Sequence, residues 1–528
     1  MIRRGRVAKP DNDCSKASGD DKPGTWLGVD RAILRARQFS GRPLNETRRV
    51  GKLPFGAYEK ARRHPRLGKG STDCYAWYNR HARLGPLNAP AERLHTHHNT
   101  RSSFVTPTVT RILVMRRRVV FVCHEASRTG APLMLLHFLQ WLRDHADLEF
   151  SVLLKEGGEL AADFATVAPV CYLRGDPQGA GRVVRLVRRV GWADEALRPL
   201  PEDLSRLERV IRAPARDVAV RDLARRAFGG HRPDLVYLNS VGSAAVLRLI
   251  PEHTPVITHV HELGFILRLA RYGEPGVIAE MLARTQRYIA ASNGGAAALA
   301  REYGVPPRDI RVCHGFIPIE DTPVNPASVA RAREVLELAP GTLVVGMVGS
   351  IDWIKGADLF VQVAKRVVEL LPRDRRVAFL WVGGASQYWW EEAVRHDIQA
   401  LGLEDCVRFI GAVADPRPVV ELFDLFLLAS RSDNYPLACL EAAAQAKPII
   451  CFDAGGMTEF LEPSDRLVVP YLDTDAMVRR IIELLESRSD RQMLGDRLAI
   501  RVRERHRLEL AAPVLLEEIH RVVDSARR

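Results

Sequence analysis

The sequence lacks any run of about 18 apolar residues, the length that a membrane-spanning helix needs. Its long apolar runs, such as residues 343–348 and 425–429, have the length of β-strands. No C-x-x-C pair occurs among the eight cysteines, and several of them lie inside apolar runs, as buried free thiols do. The basic amino terminus is not followed by the apolar segment of a signal peptide. We therefore expect a cytoplasmic protein, and peripheral contact with the inner face of a membrane stays open.

The chain also lacks excess charge outside its amino-terminal part. The net charge is +13, yet residues 1–114 alone carry +14 and residues 115–528 carry −1. Binding to DNA or RNA depends on clustered cationic side chains that neutralise phosphates. The charge-balanced body of the chain therefore gives no reason to expect a nucleic-acid partner.

Residues 1–114 are rich in Arg, Gly, Pro and His and show no sustained periodicity of apolar residues. Three interpretations stay open: a disordered basic extension, a segment that is not made because translation starts at Met115, and a tail that binds nucleic acid or metal. His95, His97 and His98 cluster here, but without the spacing and partner ligands of a zinc site.

From residue 119 onward, short apolar runs alternate with amphipathic stretches, which is typical of parallel sheets covered by helices. The predicted strands are residues 119–123, 150–154, 235–239, 255–260, 287–292, 343–350, 377–384, 407–413, 425–430 and 448–452. The predicted helices are residues 132–145, 243–250, 294–303, 356–371, 389–400 and 438–446. We therefore predict an α/β protein with two open, parallel, Rossmann-like domains. Their ligands should lie in the cleft outside the carboxyl ends of the strands.

Two segments interrupt this alternation. The Arg-rich stretch 177–232 is predicted to be a helical insertion with a solvated basic face, with a membrane-surface face as the alternative. Residues 317–326 contain three prolines and predict a linker. We therefore place the first domain at residues 115–321, the second at 322–505 and a C-terminal helix at 506–528.

The most informative segment is residues 424–461. A strand-like run leads into the polar loop SRSDNYP, followed by a helix, a second strand and a Gly-Gly turn. Asp433 lies in the loop, and Glu441 lies in the helix that begins near Leu437. Carboxylates accept hydrogen bonds from the paired hydroxyls of sugars and ribose. The helix start and the turn at Gly455 and Gly456 offer N–H groups that can bind phosphate.

This segment resembles the family 4 retaining glycosyltransferases, which carry an E-x7-E motif and a later G-G-x-x-E turn. Asp433 and Glu441 match the two acids, with Asp in place of the first Glu, and the resemblance assigns them to the donor sugar and the ribose. Either acid alone could be a helix cap or a solvated side chain, but the match over the whole segment favours the donor site. The other donor-binding residues that this match implies are Asn434, Pro436, Leu437, Gly455, Gly456 and Glu459.

A second match lies at residues 346–356, GMVGSIDWIKG. The family has G-R-L-x-x-x-K-G here, and its Arg and Lys hold the donor diphosphate. Gly349 and Lys355 match, whereas Ser350 stands in place of the Arg. A hydroxyl donates one hydrogen bond but supplies no charge, so we expect neutralisation of the diphosphate to depend mainly on Lys355 and backbone N–H groups.

Two features of the first domain resemble the acceptor side of the same family. The stretch VVFVCHEASRTGAPLMLL leaves a strand and passes Gly130 before a helix, like the family's first glycine-containing loop, which approaches the donor phosphate and the acceptor. The resemblance therefore implies that Gly130 is also a donor-binding residue. It is not a G-x-G-x-x-G sequence, so no dinucleotide cofactor is expected. At PVITHVHE, His261 matches a histidine that the family places beside the donor sugar.

The resemblance implies the GT-B fold and transfer of a sugar from a nucleotide-sugar donor to an acceptor hydroxyl, with retention at the anomeric carbon. The acceptor would be a glycan, a lipid-linked molecule or a small molecule, in polysaccharide or glycoconjugate synthesis. His261, Asp433 and Lys355 are the predicted catalytic residues. No cofactor or metal is expected, because the D-x-D sequence at Asp473–Asp475 precedes a helix and is predicted to cap it. A catalytically silent nucleotide-sugar-binding protein and a sugar-nucleotide epimerase are the alternatives.

Overall fold

The computed structural model describes residues 116–173, 232–319 and 322–528. The basic tail and nearly all of the Arg-rich stretch 177–232 lie outside these ranges, so the predictions for them stay predictions. Among the described residues, no helix is long and apolar enough to cross a membrane.

The first sheet has seven parallel strands in the order β3-β2-β1-β4-β5-β6-β7. Their bounds are β1 Arg117–Cys123, β2 Leu148–Leu154, β3 Val170–Tyr172, β4 Leu235–Asn239, β5 Val256–Val260, β6 Thr285–Ala290 and β7 Ile310–Val312. The central strands β4 and β5 are buried along their whole length, as expected for a sheet covered on both faces.

The second sheet has six parallel strands in the order β10-β9-β8-β11-β12-β13. Their bounds are β8 Leu343–Val348, β9 Val377–Val382, β10 Val407–Phe409, β11 Leu425–Leu428, β12 Ile449–Phe452 and β13 Val468–Val469. Two parallel sheets covered by helices confirm the predicted α/β architecture.

Most helices lie between strands in chain order, and the last three follow the last strand. Their bounds are α1 Gly130–His145, α2 Ala161–Val167, α3 Gly264–Gly273, α4 Pro275–Arg284, α5 Asn293–Tyr303, α6 Pro326–Val335, α7 Ala357–Leu370, α8 Tyr388–Ala400, α9 Arg417–Val420, α10 Leu437–Ala444, α11 Met457–Phe460, α12 Thr474–Glu486, α13 Arg488–Arg505 and α14 Leu508–Arg527. The helix predicted at residues 243–250 is instead a 3₁₀ helix over Val241–Leu249. It starts in a tight turn, because the Ser240 hydroxyl accepts the N–H of Gly242 at 3.0 Å.

Five of the ten predicted strands were too long at their carboxyl ends. Those predicted to end at residues 292, 350, 384, 413 and 430 end at residues 290, 348, 382, 409 and 428. The short apolar and small residues beyond these strands continue the strand pattern in sequence, but they form at most isolated bridges and not regular strands. The strands β3, β7 and β13 were not predicted, because two or three residues are too few to show a period.

The chain returns to the first sheet at its carboxyl end. Ile317 pairs with Arg507 in an isolated parallel bridge, with the Ile317 N–H donating to the carbonyl of His506 at 3.0 Å. Helix α14 then packs against α1 and strands β4 to β6. Its Glu518 forms an ion pair with Arg287 of β6, with 2.8 Å between Oε2 and Nε. The C-terminal helix therefore completes the covering of the first sheet.

The D-x-D sequence has the structural role that was predicted for it. Asp473 precedes α12, and its Oδ1 accepts the N–H of Ala476 at 2.8 Å. This carboxylate therefore caps the helix. The described residues contain no group of three or more His, Cys, Asp or Glu side chains that could hold a metal ion.

Candidate active site

The carboxyl end of β8 carries the predicted diphosphate loop. Gly349 continues the sheet by donating its N–H to the carbonyl of Val382 at 2.9 Å, and its own carbonyl accepts the Trp381 indole N–H at 2.8 Å. The loop then bends towards α7 around Asp352. The Asp352 carboxylate accepts the Ser350 hydroxyl at 2.6 Å and the N–H of Lys355 at 2.8 Å. Asp352 therefore fixes the loop, and Ser350 could bind a phosphate only by leaving Asp352.

Lys355 and Asp433 meet although 78 residues separate them in the chain. The Lys355 ammonium donates to Oδ2 of Asp433 at 2.5 Å, and the hydroxyl of Ser430 donates to the same oxygen at 3.1 Å. Burial alone would lower the pKa of Lys355, but the adjacent Asp433 carboxylate outweighs it and raises this pKa above its usual value. Lys355 is therefore a cation held at the edge of the second sheet.

Glu441 lies in α10, one loop beyond Asp433, and is half-buried. Burial raises the pKa of its carboxyl, and the nearby Arg417 partly opposes this shift. Its carboxylate accepts no hydrogen bond from the described part of the chain, whereas Oδ2 of Asp433 accepts from both Lys355 and Ser430. Glu441 is therefore a carboxylate that can accept hydrogen bonds from an incoming ligand.

The Gly-Gly turn after β12 packs directly on the backbone of the Asp433 loop. A Cβ added to Gly455 would lie 1.8 Å from the carbonyl oxygen of Asp433, and one added to Gly456 would lie 1.9 Å from that of Asn434. Only glycine permits this approach. The N–H of Gly456 donates to the Asp433 carbonyl at 3.2 Å, so this group is already bonded and not available to phosphate as predicted. The turn therefore packs against the backbone of the Asp433 loop and fixes its position.

Two residues of the predicted donor site contact the first domain instead. Asn434 is buried and accepts a short hydrogen bond from the Ser292 hydroxyl, at the start of α5. The Glu459 carboxylate accepts the N–H groups of Asn293 at 2.9 Å and Gly294 at 2.8 Å. Hydrogen bonds from these N–H groups hold the pKa of Glu459 below its usual range, against the opposite effect of burial. In the structure, both residues therefore join the two domains.

Pro436 and Leu437 mark the start of α10. Pro436 is the residue before the helix and has φ −66°, which suits a helix start. Leu437 faces the other domain, because a Cβ added to Gly130 would lie 3.8 Å from its Cγ. Gly130 begins α1, so the first glycine-containing loop lies opposite the start of α10.

His261 follows β5 and is held by Asn239 at the end of the neighbouring strand β4. Its Nε2 lies 2.8 Å from Oδ1 of Asn239, whose amide nitrogen donates to the carbonyl of Ala131 at 2.9 Å. Since Oδ1 accepts, Nε2 carries the proton. Burial and the neighbouring His259 and His124 hold the pKa of His261 well below its usual value. His261 is therefore a neutral imidazole with a defined orientation.

Several residues of this site were missed from the sequence. Asp352 lies inside the segment GMVGSIDWIKG, and its role in turning the loop could have been suspected from its position three residues before Lys355. Asn239 ends the strand LVYLN, where a polar residue at a strand end is the signal. The contact between Phe265 of α3 and Trp353 across the two domains, with ring centroids 5.5 Å apart, has no sequence signal.

Comparison with known proteins agrees with this arrangement. A model described as Glycosyltransferase Family 4 matches residues 157–321, and a model described as Glycosyl transferases group 1 matches residues 342–487. Together these matches cover more than half of the chain. The chain belongs to the family 4 glycosyltransferases. The family resemblance and the fold class that the sequence predicted are both confirmed.

Curated relatives of this family member match over part of their length. The lipopolysaccharide core biosynthesis mannosyltransferase LpcC of Rhizobium leguminosarum bv. viciae is 30% identical over 145 residues, which is 27% of this chain and 40% of the relative. A D-inositol 3-phosphate glycosyltransferase of Nocardia farcinica is 32% identical over 193 residues, which is 35% of this chain and 41% of the relative. The matched part of the chain thus spans less than half the length of these two relatives.

Solved structures extend the similarity to both domains. Anabaena HepE, crystallised with UDP and glucose, has a TM-score of 0.59 at 18% identity, over 77% of this chain and 100% of that one. Sucrose-phosphate synthase from Thermosynechococcus elongatus has a TM-score of 0.57 at 17% identity, over 78% of this chain and 100% of that one. This family member therefore has the GT-B fold.

Proposed function

We propose that the protein is a retaining glycosyltransferase that moves a sugar from a nucleotide-sugar donor to an acceptor hydroxyl. The observation that carries this proposal is the juxtaposition of Lys355, Asp433 and Glu441 at the carboxyl edge of the second sheet, with His261 at the edge of the first. A cation and two carboxylates follow strands of the second sheet, and a neutral imidazole follows β5 of the first sheet, where the nearby Leu263 contacts the turn beside Asp433.

Each of these side chains suits one part of the donor. Glu441 can accept the ribose hydroxyls, and Asp433 can accept hydroxyls of the transferred sugar when Lys355 turns to the diphosphate. Lys355 would then stabilise the negative charge that builds up on the departing diphosphate. His261 is neutral and would lie beside the sugar, where its backbone carbonyl can stabilise positive character at the anomeric carbon. Catalysis would follow from this placement and charge stabilisation, without a protein nucleophile.

Known relatives suggest which donors and acceptors to test. HepE was crystallised with UDP and glucose and also with UDP-glucose, so UDP-glucose is a reasonable first donor. The relatives named above act on lipopolysaccharide core and on D-inositol 3-phosphate, which supports a role in polysaccharide or glycoconjugate synthesis. A glycan, a lipid-linked molecule and a small molecule all stay open as acceptors.

A donor screen tests the proposal. The full chain is incubated with UDP-glucose, UDP-galactose, GDP-mannose and ADP-glucose in the presence of EDTA, and release of nucleoside diphosphate is measured. We expect release with at least one donor, and an anomeric proton in the product with the configuration of the donor by NMR. Binding without release would indicate a catalytically silent protein, and conversion of the sugar without transfer would indicate an epimerase.

A further inference from the structure

Ser240, the residue after β4, has an unusual backbone conformation. Its φ is 87° and its ψ is 147°, in the region that glycine favours, and it is 3% exposed. A serine held there costs free energy, so its contacts must compensate. Its N–H donates to the carbonyl of His259 at 2.7 Å, and its hydroxyl oxygen accepts the N–H of Gly242 at 3.0 Å. These contacts fix the hydroxyl at the carboxyl edge of the first sheet.

The Ser240 hydroxyl in turn holds a carboxylate. It donates a short hydrogen bond to Oε1 of Glu262, and Oε2 of Glu262 accepts the N–H of His261 at 2.9 Å. Each carboxylate oxygen can accept two hydrogen bonds, so each keeps one free lone pair. Glu262 is half-buried and pairs with no cation among the described residues. It is therefore an oriented carboxylate with half of its accepting capacity unused.

The position of Glu262 follows from the order of the strands. Strand β4 lies between β1 and β5 in the first sheet. The loop after β1 reaches the donor domain where Gly130 faces Leu437. The segment after β5 contacts the donor domain through Leu263. A Cβ added to Gly455 would lie 2.9 Å from Cδ1 of Leu263. Glu262 thus directly precedes the residue that contacts the turn beside Asp433, and its carboxylate is held towards the end of β4 by Ser240.

We propose that Glu262 binds two adjacent hydroxyls of the acceptor, beside the hydroxyl that attacks, and that Ser240 is its positioning residue. The acceptor would then carry a vicinal diol, as a sugar ring or a polyol does. This inference rests on the proposed function. The attacking oxygen forms its bond to the anomeric carbon as the bond to the diphosphate breaks. The electron pair leaves with the diphosphate oxygen, which takes the proton of the attacking hydroxyl, and Glu262 takes no part in this proton transfer.

The test uses the full chain and a donor that it turns over in the screen above, with glycerol or 1,3-propanediol as the acceptor. Glycerol has a vicinal diol beside the attacking hydroxyl, whereas 1,3-propanediol does not. We expect transfer to glycerol to exceed transfer to 1,3-propanediol by about tenfold or more, as for one or two hydrogen bonds to a charged group. Glu262→Gln should abolish this preference and raise the KM for glycerol. Glu280→Gln is the matched control, because Glu280 is also half-buried in the first domain but lies in α4 and pairs with Arg248 and Arg284.

Ser240→Gly separates positioning from a purely structural role. Glycine adopts the observed φ without strain but has no hydroxyl for Glu262. We expect the variant to unfold at an equal or higher temperature and yet to lose the preference for glycerol. Equal transfer to both acceptors by the unchanged protein, or a preference that survives Glu262→Gln, would overturn the inference. If no donor releases its nucleoside diphosphate, the proposed function itself fails.

Discussion

The ion pair between Lys355 and Asp433 provides the sharpest test of the proposed mechanism. Its side chains are only 26% and 12% exposed, and 2.5 Å separates Nζ from Oδ2. Lys355→Met would leave the Asp433 carboxylate without its cation, and Asp433→Asn would leave the Lys355 ammonium without its anion. Breaking a fully buried pair costs about 3–5 kcal/mol, and the partial exposure of Lys355 reduces our expectation to about 2–3 kcal/mol for each variant.

The double variant should lose less stability than the sum of the two single variants, because it leaves no charge unpaired. We expect a coupling energy of about 1–2 kcal/mol from the double-mutant cycle, measured by urea unfolding of the four proteins. Lys365→Met is the matched control. Its ion pair with Glu369 is 35% and 49% exposed and should contribute less than about 0.5 kcal/mol.

The same variants test catalysis. If Lys355 stabilises the departing diphosphate, Lys355→Met should lower donor turnover by about 100-fold or more, and should weaken binding of the free nucleoside diphosphate by a smaller factor. Asp433→Asn should lower turnover strongly but bind that product almost normally, because the product lacks the sugar. The reasoning is refuted if Lys355→Met behaves like Lys365→Met in both unfolding and turnover.

Three further predictions concern the nucleotide site, the domain contact and the tail. Glu441→Gln should weaken nucleoside diphosphate binding by about 1.5–3 kcal/mol in calorimetry. Burial raises the pKa of Glu441, so the ionised carboxylate destabilises the unliganded protein at pH values above the usual carboxyl pKa. The melting temperature of Glu441→Gln should therefore exceed that of the unchanged protein at neutral pH, but not in acid. Glu459→Gln should lower the free energy of unfolding by about 1–2 kcal/mol at neutral pH. Since the pKa of Glu459 is lowered, the whole difference in the free energy of unfolding should be present above the usual carboxyl pKa. It should disappear as the pH falls through the folded-state pKa, which urea unfolding from neutral to acid pH would measure. A protein shortened to begin at Met115 should fold and should release nucleoside diphosphate as fast as the full chain. If the shortened protein is inactive, the tail has a structural role.

Two residues of the segment 424–461, which resembles the donor site of the family, contact the first domain. Asn434 and Glu459 lie in the segment that the family resemblance assigns to the donor, yet their side chains bond to the start of α5 in the first domain. The Asp433 loop is thus tied to the other sheet through its neighbours. Any movement between the domains would reposition Asp433, so domain closure and donor binding are expected to be coupled.

The sequence alone determined the layered α/β architecture of this protein. Alternation of buried runs and amphipathic stretches depends on local periodicity, and it located the central strands to within a few residues. It also placed Lys355, Asp433 and Glu441 in the segments that follow strands of the second sheet, where ligands of parallel sheets bind, while their assignment to the donor came from the family resemblance.

Only the tertiary structure decided what each of these residues contacts. The pairing of Lys355 with Asp433 spans 78 residues, and the contact of Glu459 with Asn293 spans 166. Such distances depend on how two sheets and a returning C-terminal helix are packed, which no local period encodes. The same holds for Ser350, whose hydroxyl is bonded to Asp352, and for Ser240, whose backbone conformation is imposed by the strands on either side. A periodic pattern predicts which face of an element is buried, but the partner of a polar side chain is set by whichever element is brought to it in space.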